Sequence, residues 1–278
     1  SIIIVGGGVI GCELACIYQA FGSTVTVVEG QNRILPLPSV DDDISVLLQR
    51  EMKKRRIACE LGQTLTQVRV DDNGVSGVVP CGTTGESPTL DHDEHTQVIK
   101  LTAQFAKGRG IVMAGTGSNS TREAVELTKA AEAAGATAIL QVAPYYNKPT
   151  PEGLLEHFKQ VAQATKLPIM LYSIPGRCGI EIGIDVVLKL NAACPNVCAI
   201  KEAGGNPERV SQMKQVLPES FEILSGDDSL TLPFMSVGAV GVVSVASNII
   251  PKQVSDLVKL ALKNDFAGAR KIHRQYYP

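Results

Sequence analysis

From residue 75 onward, short apolar runs alternate with stretches of helical pattern, and this alternation constrains the fold more than any other feature of the chain. Each run is rich in β-branched residues and almost wholly apolar, which is typical of parallel strands covered on both faces. Seven strands are predicted, at 75–82, 109–117, 136–145, 167–175, 197–203, 221–227 and 238–247. Seven consecutive strand–helix units predict a (β/α)8 TIM-type barrel with one unit located elsewhere, and a doubly wound sheet is the alternative.

Helix boundaries between these strands are marked by residues that cap helices. Ser120 and Glu123 fit a capping box, and Gly135 is placed to end the same helix. Thr150 and Asn206 each precede a proline, which is a common combination at a helix start. The alternation of strands and helices therefore has independent support from local sequence.

Composition excludes several classes of function. A net charge of −2 gives no indication of a nucleic-acid or membrane partner, and no apolar run approaches the ~20 residues of a membrane span. The seven cysteines lack a framework spacing, so a reducing compartment is expected, either the cytoplasm or an organelle stroma. No metal site is predicted, because neither close cysteine pair is accompanied by the further ligands that zinc requires. The first residue is Ser1, which suggests a processed or excised piece.

The first 73 residues follow a different pattern from the rest. Gly6, Gly8 and Gly11 form G-x-G-x-x-G between a predicted strand at 1–5 and a predicted helix, and Glu29 ends the next strand. Such glycines permit a tight turn and the approach of a pyrophosphate to the helix N-terminus, while the acidic residue can accept a hydrogen bond from a ribose hydroxyl. The alternative is that these glycines only shape a tight βαβ turn.

Residues 1–73 resemble the NAD-binding region of dihydrolipoamide dehydrogenase and related flavoprotein disulfide reductases. The stretch GGGVIGCELACIYQAFGSTVTVVE and the later RILP carry this resemblance. It implies NAD as a possible ligand of the N-terminal piece. The redox cysteine pair of those enzymes is absent from this sequence, so their activity is not expected.

Lys201 is the residue of the barrel region with the clearest chemical implication. It lies in the apolar run VCAIKEA, where Val197, Ala199 and Lys201 alternate onto one face, which in a barrel can be the interior. A desolvated lysine has a lowered pKa and can attack a carbonyl to form a Schiff base. The alternative is a lysine at the strand end that reaches solvent.

Four further features lie at the carboxyl ends of predicted strands, where barrel active sites are found. Thr83 and Thr84 in GTTGES could hold a carboxylate, or could form an ordinary βα turn. Tyr172 in LYSIPGR could transfer protons, and Arg177 could bind a carboxylate through two hydrogen bonds or could be a surface residue.

The other two features are the tyrosines of APYYNKP and the stretches SGDD and GVVSV. Tyr145 and Tyr146 could act at the site or could serve aromatic packing. Gly226 and Val243 are candidates for binding substrate oxygens through the backbone.

Residues 74–278 resemble dihydrodipicolinate synthase. The resemblance is carried by four motifs taken together and in this order: GTTGES, PYYNKP, LYSIPGR and IKEA. That enzyme belongs to the pyruvate-dependent class I aldolase family, which includes N-acetylneuraminate lyase. GTTGE and the arginine of IPGR favour the synthase over the sugar lyase.

The resemblance implies a lyase mechanism that needs no metal or organic cofactor. Lys201 would condense with the keto group of pyruvate. Tyr172 would carry protons, relayed by Thr83 and by Tyr146 from a neighbouring subunit of a homo-oligomer. The resulting enamine would attack aspartate semialdehyde.

The resemblance also implies binding sites. Arg177 would meet the carboxylate of aspartate semialdehyde, Thr84 would hold the pyruvate carboxylate, and Gly226 and Val243 would bind substrate through the backbone. L-lysine would be a feedback inhibitor at a site formed by Ser87, His92, His95, Asn119, Glu123 and Tyr145. Apart from the resemblance, DHDEH at 91–95 is a solvated helix start or a metal site.

Both ends of the barrel pattern depart from that family. The first βα unit of the family is missing from this sequence, and the final helices stop at RQYYP. We therefore expect two domains, at 1–73 and 74–278. The expected origin is a recombined or engineered chimera, and the other explanation is a spliced or mispredicted gene product. A Rossmann-like βαβ fragment stands where the first βα unit belongs. The first barrel strand could be 24–29 or 1–5, or residues 1–73 could form a separate lobe. A hairpin over 66–79 would place an antiparallel strand beside the barrel.

Two hypotheses of function follow. In the first, the chain is the lyase described above, with an activity that the fusion could impair. In the second, it is a catalytically silent scaffold with residual NAD binding. The presence of every named catalytic side chain favours the first, and the missing segments that support the oligomer favour the second.

Overall fold

The computed structural model of the protein describes residues 2–37, 40–63, 74–106 and 108–277. The chain divides into two compact units, Ser1–Arg69 and Val70–Pro278. Residues 64–73 lie outside the described residues. They include the expected end of the first domain at 73 and much of the hairpin expected over 66–79. These expectations stay predictions.

The first unit is a three-stranded parallel sheet with two helices. In chain order its elements are β1 (Ile2–Val5), α1 (Val9–Ala20), β2 (Val25–Glu29), α2 (Asp42–Lys54) and β3 (Ala58–Leu61). The sheet order is β1-β2-β3, and both pairs are parallel. Val25 and Val27 on β2 are buried together with Ala15 of α1 and Met52 of α2. These four side chains belong to a hydrophobic core that is the unit's own.

The second unit is built mainly of strands and helices in alternation. Its first elements are β4 (Gly77–Val78), α3 (His92–Ala106), β5 (Ile111–Gly115), α4 (Thr121–Ala133), β6 (Ala138–Val142), α5 (Pro151–Gln163) and β7 (Ile169–Ser173). The elements that follow are α6 (Pro175–Cys178), α7 (Ile184–Ala193), β8 (Val197–Glu202), α8 (Pro207–Val216), β9 (Glu222–Ser225), α9 (Thr231–Ser236), β10 (Gly241–Val242), α10 (Pro251–Leu262) and α11 (Phe266–Tyr276). Each of its seven strands lies inside one of the seven predicted runs, so that prediction is confirmed.

Strand order identifies the architecture of this unit as barrel-like. The sheet runs β10-β9-β8-β7-β6-β5-β4, and every neighbouring pair is parallel. A sequential order without reversal is that of a (β/α) barrel, whereas a doubly wound sheet reverses its order at a switch point. The alternative of a doubly wound sheet is therefore wrong for this unit. Among the described residues, β4 and β10 are the edge strands of this sheet, and β1–β3 pair only with one another.

The seven-stranded sheet has two apolar faces. One cluster consists of Leu140, Met170, Tyr172 and Ala199, which lie on one side of three neighbouring strands. The opposite side, which includes Ile139 and other side chains of the same strands, packs in a much larger core with the helices. The smaller cluster therefore marks the inner face of the curled sheet, and residues that share its side point toward the barrel interior.

A β-bulge corrects one detail predicted for β8. Ile169 pairs with Val197, but the next residue, Met170, pairs with Ala199, so one extra residue is accommodated at Cys198. Val197 belongs to the helix-facing core, while Ala199 belongs to the inner cluster. The predicted strict alternation of Val197 with Ala199 and Lys201 is thus wrong for Val197, because a bulge changes which face the following side chains occupy.

Several predicted helix boundaries are confirmed. The Ser120 side chain accepts a hydrogen bond from the backbone N–H of Glu123 at 3.4 Å, and Gly135 follows α4 with a φ of 96°. Thr150 and Asn206 cap α5 and α8 through their side chains. Within the described residues, no helix combines the length and apolar character needed to cross a membrane.

Candidate active site

Lys201 lies at the carboxyl end of β8, directly across from Tyr172 on β7. Its side chain follows the inner-facing Ala199 by two residues and is only 9% exposed. The Nζ atom sits 4.0 Å from the centroid of the Tyr172 ring. Of the two predicted alternatives, the structure has the buried lysine and not one that reaches freely into solvent.

Burial lowers the pKa of Lys201 to about 8. The carboxylates of Asp227 and Asp228 act in the opposite direction, because a nearby negative charge favours the ammonium form. Burial has the larger effect. The amine is therefore much closer to its nucleophilic, uncharged form near neutral pH than an exposed lysine would be.

Tyr172 is buried beside this amine, and burial raises the pKa of its phenol. A side-chain hydrogen bond with Thr83 and the positive charge of Arg177 lower the pKa and offset part of that effect. A phenol held in contact with a hydroxyl and next to an amine can exchange protons with either. Thr83 and Lys201, which were predicted from two other strand ends, thus both lie next to the Tyr172 side chain.

A cavity of about 440 Å³ opens at the same carboxyl ends of the strands. Thr83, Tyr172 and Arg177 line one part of it. Five residues predicted for the inhibitor site line the cavity as well: Ser87, His92, His95, Glu123 and Tyr145. The predicted residues of the barrel region that do not line it are Thr84, Asn119, Tyr146, Lys201, Gly226 and Val243.

Glu123 is the centre of a polar cluster in this cavity. Its Oε1 atom is 2.8 Å from Nε2 of His92, and its Oε2 atom accepts a hydrogen bond from the Ser118 hydroxyl. The hydrogen bond from Ser118, followed by that from His92, lowers the pKa of Glu123. A carboxylate held charged at the wall of a cavity is suited to bind an ammonium group. Ser118 was not predicted from the sequence, because it lies in a turn without a recognisable pattern.

His95 and Asn119 are placed differently from the rest of the predicted inhibitor site. His95 is buried, and its Nε2–H donates to the carbonyl oxygen of Gly115 at 2.9 Å. Burial lowers the pKa of His95. Asn119 uses its backbone carbonyl to accept a hydrogen bond from the Asn147 side chain at 3.0 Å.

The backbone N–H groups of Gly226 and Val243 already have protein partners. The N–H of Gly226 donates to the Glu202 carbonyl at 2.7 Å, and that of Val243 donates to the Ser225 carbonyl at 2.9 Å. A Cβ at position 226 would lie 2.5 Å from Cβ of Ala203, so glycine is required there. Contact of these two residues with a substrate would have to use groups other than their N–H donors.

Asp228 has a positioning role that the sequence did not reveal. Its carboxylate accepts hydrogen bonds from the hydroxyl of Ser244 and, at 2.9 Å each, from the backbone N–H groups of Val245 and Ala246. These residues follow β10, an edge strand of two residues. The carboxylate therefore fixes the loop that begins at Val243.

Tyr146 is 90% exposed and lies outside the cavity of its own chain. Its φ of 74° lies in the left-handed region, which aromatic residues seldom adopt. Conformations of this kind cost about 1–3 kcal/mol and concentrate at functional positions. The loop therefore holds this ring away from the chain that carries it.

The glycine turn of the first unit has the geometry predicted for a dinucleotide-binding motif. Gly6 has a φ of 103°, and a Cβ at Gly11 would lie 1.9 Å from the Gly6 carbonyl oxygen. A Cβ at Gly8, in contrast, would meet nothing within 4 Å. The open side of Gly8 lies at the start of α1, where a pyrophosphate could approach.

Glu29, however, already serves the turn itself. Its two oxygens accept hydrogen bonds from the N–H groups of Gly7, at 2.6 Å, and Gln31, at 2.8 Å. Acceptor capacity remains on a carboxylate with two bonds, so a ribose hydroxyl could still be bound. The residues present thus fit a dinucleotide at the glycine turn and leave Glu29 less available than in an open site.

Within the described residues, no group of three or more His, Cys, Asp or Glu side chains could hold a metal ion. His92 and His95 of the DHDEH stretch are instead engaged with Glu123 and Gly115. The interpretation of this stretch as a metal site therefore finds no support in the described geometry.

Comparison with protein families gives two matches in one chain. The dihydrodipicolinate synthetase family matches residues 51–278. The pyridine nucleotide-disulphide oxidoreductase family matches residues 1–82. The two matches overlap over residues 51–82, which include the predicted boundary.

Individual relatives agree with the larger match. The 4-hydroxy-tetrahydrodipicolinate synthase of Chloroherpeton thalassium is 51% identical over 206 residues, which are 74% of this chain and 68% of that protein. The solved structure of that synthase from Methylacidiphilum fumariolicum SolV is 55% identical, with a TM-score of 0.74 over 74% of this chain and 69% of its own. A structure of the Cyanidioschyzon merolae enzyme with lysine bound is 41% identical, with a TM-score of 0.72 over 74% of this chain and 70% of that one.

Proposed function

Since the chain belongs to the dihydrodipicolinate synthetase family, we propose that it condenses pyruvate with aspartate semialdehyde to 4-hydroxy-tetrahydrodipicolinate, in lysine biosynthesis. The observation that carries this proposal is the buried amine of Lys201, 4.0 Å from the ring of Tyr172 and with a pKa lowered to about 8. Schiff-base chemistry needs an uncharged lysine beside a proton carrier. Both are present on adjacent strand ends.

The reaction begins with the attack of Nζ of Lys201 on the keto carbon of pyruvate. The carbonyl oxygen takes up protons and leaves as water, and a protonated Schiff base remains. Loss of a proton from the methyl carbon gives an enamine, which forms a carbon–carbon bond with the aldehyde carbon of aspartate semialdehyde. The amine of that substrate then displaces Lys201 and closes the ring. The protonated Schiff base that Lys201 forms with pyruvate is the electron sink, so no metal or organic cofactor is required.

Tyr172 is the proton carrier of this scheme, with Thr83 as its relay partner. Tyr146 completes the relay from a second copy of the chain, which agrees with its exposure and its left-handed backbone. The site would then be incomplete in a monomer. A homo-oligomer is therefore part of the proposal.

The substrates are held by groups at the mouth of the barrel. Arg177 lines the cavity beside Tyr172 and binds the carboxylate of aspartate semialdehyde. Thr84 binds the carboxylate of pyruvate, and Gly226 with Val243 supports the substrate through backbone atoms. A guanidinium offers two parallel donors to a carboxylate, which gives orientation as well as affinity.

L-lysine is proposed as an inhibitor that binds in the part of the cavity around Glu123. The charged carboxylate of Glu123 and the ring of His92 lie at one wall, and Ser87 and Tyr145 line the same space. His95 and Asn119 support this region. A similar solved enzyme, that of Cyanidioschyzon merolae, is described as having lysine bound.

Reduction with borohydride in the presence of pyruvate tests the lyase. A folded sample should gain the mass of a reduced pyruvate adduct on Lys201, and the variant Lys201→Met should gain none. Absence of the adduct from folded wild-type protein would leave the second hypothesis, a catalytically silent scaffold.

The N-terminal unit is proposed as a fragment of the oxidoreductase family fused in the place where the first βα unit of the synthase belongs in chain order. The two family matches and the Rossmann-like β1–α1–β2 arrangement support this proposal. The open side of Gly8 favours residual NAD binding by this unit as a second function. The seven free cysteines favour a cytoplasmic setting, where thiols stay reduced.

A further inference from the structure

A buried arginine lies behind the candidate catalytic pair, on the opposite face of the sheet. Arg209 of α8 is 6% exposed. Its Nε donates to Oε2 of Glu202 at 2.8 Å, its Nη1 donates to Glu181 at 3.0 Å, and its Nη2 donates to the carbonyl oxygen of Ile182. One guanidinium thus joins the end of a strand to the loop between α6 and α7.

The strand residue in this network, Glu202, follows Lys201 directly. Glu202 is fully buried, and its second oxygen accepts a hydrogen bond from the N–H of Gly204 at 2.8 Å. A Cβ at Gly204 would lie 2.7 Å from that oxygen, so the turn after β8 has no space to shift toward it. The carboxylate is therefore held on both oxygens.

The neighbouring strand is tied to the same network through Ser173. Ser173 pairs with Glu202 across β7 and β8, one position beyond the pair of Tyr172 and Lys201. Its hydroxyl accepts a hydrogen bond from the N–H of Ile182 at 3.3 Å. Its carbonyl oxygen accepts one from the N–H of Ala203 at 2.9 Å.

The bulge at the start of β7 and β8 explains why such a network matters for the site. Because the register shifts between the pairs of Ile169 and Met170, the pairing at the start of these strands does not by itself fix the pairing at their ends. A slip by one residue would turn Lys201 from the inner face to the helix layer. The register at the carboxyl ends needs a constraint of its own.

We propose that Arg209 is a positioning residue for the Schiff-base lysine, because its guanidinium fixes the ends of β7 and β8 and the loop after Arg177 as one rigid group. It touches neither substrate nor reacting atoms. Its effect passes through Glu202 to Lys201 on one side and through Glu181 and Ile182 to the Arg177 turn on the other. This inference rests on the role proposed for Lys201.

The main test is the variant Arg209→Met, compared with wild type in two measurements made per folded molecule. Competitive acetylation of Lys201 with acetic anhydride, followed across pH by peptide mass spectrometry, reports the environment of the amine without any substrate. Borohydride trapping with pyruvate reports the rate of Schiff-base formation. We expect the acetylation midpoint to rise and trapping to slow by on the order of 10- to 100-fold, since small displacements of a reacting group have effects of that size.

Thr128→Val is the matched structural control. Thr128 is fully buried in the helix-facing layer, and its hydroxyl bonds Thr116 at 2.9 Å and Gln141 at 3.0 Å. The variant should lower the midpoint of thermal unfolding and leave the acetylation midpoint of Lys201 unchanged. A fall in stability alone would therefore not reproduce the expected result.

Two further variants cover the case in which Arg209→Met fails to fold. Arg209→Lys keeps the positive charge but cannot reach Glu202 and Glu181 together, so it should show a smaller change of the same sign. The double variant Glu202→Gln/Arg209→Met removes both buried charges. The amine of Lys201 should still be displaced in it, so the acetylation midpoint should stay raised and trapping should stay slow. If a variant that folds shows the same acetylation midpoint of Lys201 and the same trapping rate as wild type, the proposal is overturned.

Failure of the inference is distinguishable from failure of the proposed function. If wild-type protein forms no adduct with pyruvate, the lyase proposal fails. In that case the acetylation midpoints of wild type and Arg209→Met still decide whether Arg209 positions the amine.

Discussion

Tyr172 and Lys201 are paired across β7 and β8, and the lysine amine lies against the face of the tyrosine ring. Two consequences follow from this arrangement. Burial at this position keeps water from the amine and lowers its pKa, and the phenol lies where it can exchange protons with a carbonyl that the amine attacks. Activation of the Lys201 amine and proton transfer by Tyr172 thus both depend on the register between β7 and β8.

The pH dependence of Schiff-base formation should follow the pKa of Lys201. With a pKa of about 8, about 9% of the amine is uncharged at pH 7, against about 0.03% for an ordinary lysine. The trapping rate should rise with pH and level off above about 8. Asp227→Asn removes a carboxylate that favours the ammonium, so it should move the midpoint to lower pH. A midpoint near that of a free lysine would contradict the burial seen here.

Tyr146 should act across an interface between two copies. We expect Lys201→Met and Tyr146→Phe to be strongly impaired when each is assayed alone. A mixed oligomer of the two variants contains one site with an intact lysine and an intact tyrosine, so mixing should restore part of the activity. Size-exclusion chromatography must show that mixed oligomers form. If mixed oligomers form but no activity is recovered, Tyr146 does not act across the interface. It then acts within its own chain or has no role in the reaction.

Periodicity and strand-end chemistry made much of the barrel predictable from sequence. Parallel strands covered on both faces are apolar along their length, so β4–β10 stand out from the helices between them. Lys201 stands out for the same reason, as a charged residue in an apolar run. Tyr172 lies near the carboxyl end of β7 and Arg177 follows that strand, in the region where barrels gather their functional groups.

What the sequence did not reveal depends on contacts between distant residues. The bulge at Cys198 is set by pairing with β7, and nothing in the local pattern of β8 marks it. The bonds of Arg209 to Glu181 and Ile182 span 28 and 27 residues. The bond of Ser118 to Glu123 joins a turn to a helix whose relative orientation only the fold determines.

Inhibition by L-lysine should depend on the charge of Glu123. Glu123→Gln keeps the size of the side chain but removes the charge that an ammonium group needs, so it should raise the lysine concentration for half inhibition by roughly 10-fold or more. The rate of pyruvate trapping should stay near that of wild type. Glu126→Gln, an exposed carboxylate on the same helix, is the matched control and should leave inhibition unchanged. Equal loss of inhibition in both variants would remove Glu123 from the site.

His157 should make the folded protein sensitive to acid. Its ring is 4% exposed, burial lowers its pKa to about 4, and Nε2 has no hydrogen-bond partner among the described residues. Because the folded pKa lies below the unfolded one, the unfolded chain binds more protons between about pH 6.5 and 4, and stability falls as pH drops through that range. The loss should reach roughly 3 kcal/mol.

Urea unfolding at a series of pH values measures this loss. His157→Gln should flatten the slope, although His95, whose pKa burial also lowers, retains a contribution of the same sign. His273→Gln in α11 removes a histidine that is not buried and should keep the wild-type slope. An unchanged slope in His157→Gln would show that another group is responsible.

Two glycines of the first unit separate dinucleotide binding from folding. Alanine at Gly8 meets no atom within 4 Å and keeps an ordinary φ of −70°, so Gly8→Ala should fold. The added methyl group would occupy the side from which a pyrophosphate must approach. Gly11→Ala instead places a Cβ 1.9 Å from the Gly6 carbonyl oxygen and should disrupt the turn.

Fluorescence titration with NADH then gives a clear result for the second proposed function. If the unit binds the dinucleotide, wild type should show a saturable signal, and Gly8→Ala should lose it while its circular dichroism stays that of wild type. Gly11→Ala should lose binding together with helical signal, since close packing of β1 against α1 depends on that glycine. A flat wild-type titration would assign these glycines to the turn alone, in agreement with the carboxylate of Glu29 being bonded to Gly7 and Gln31.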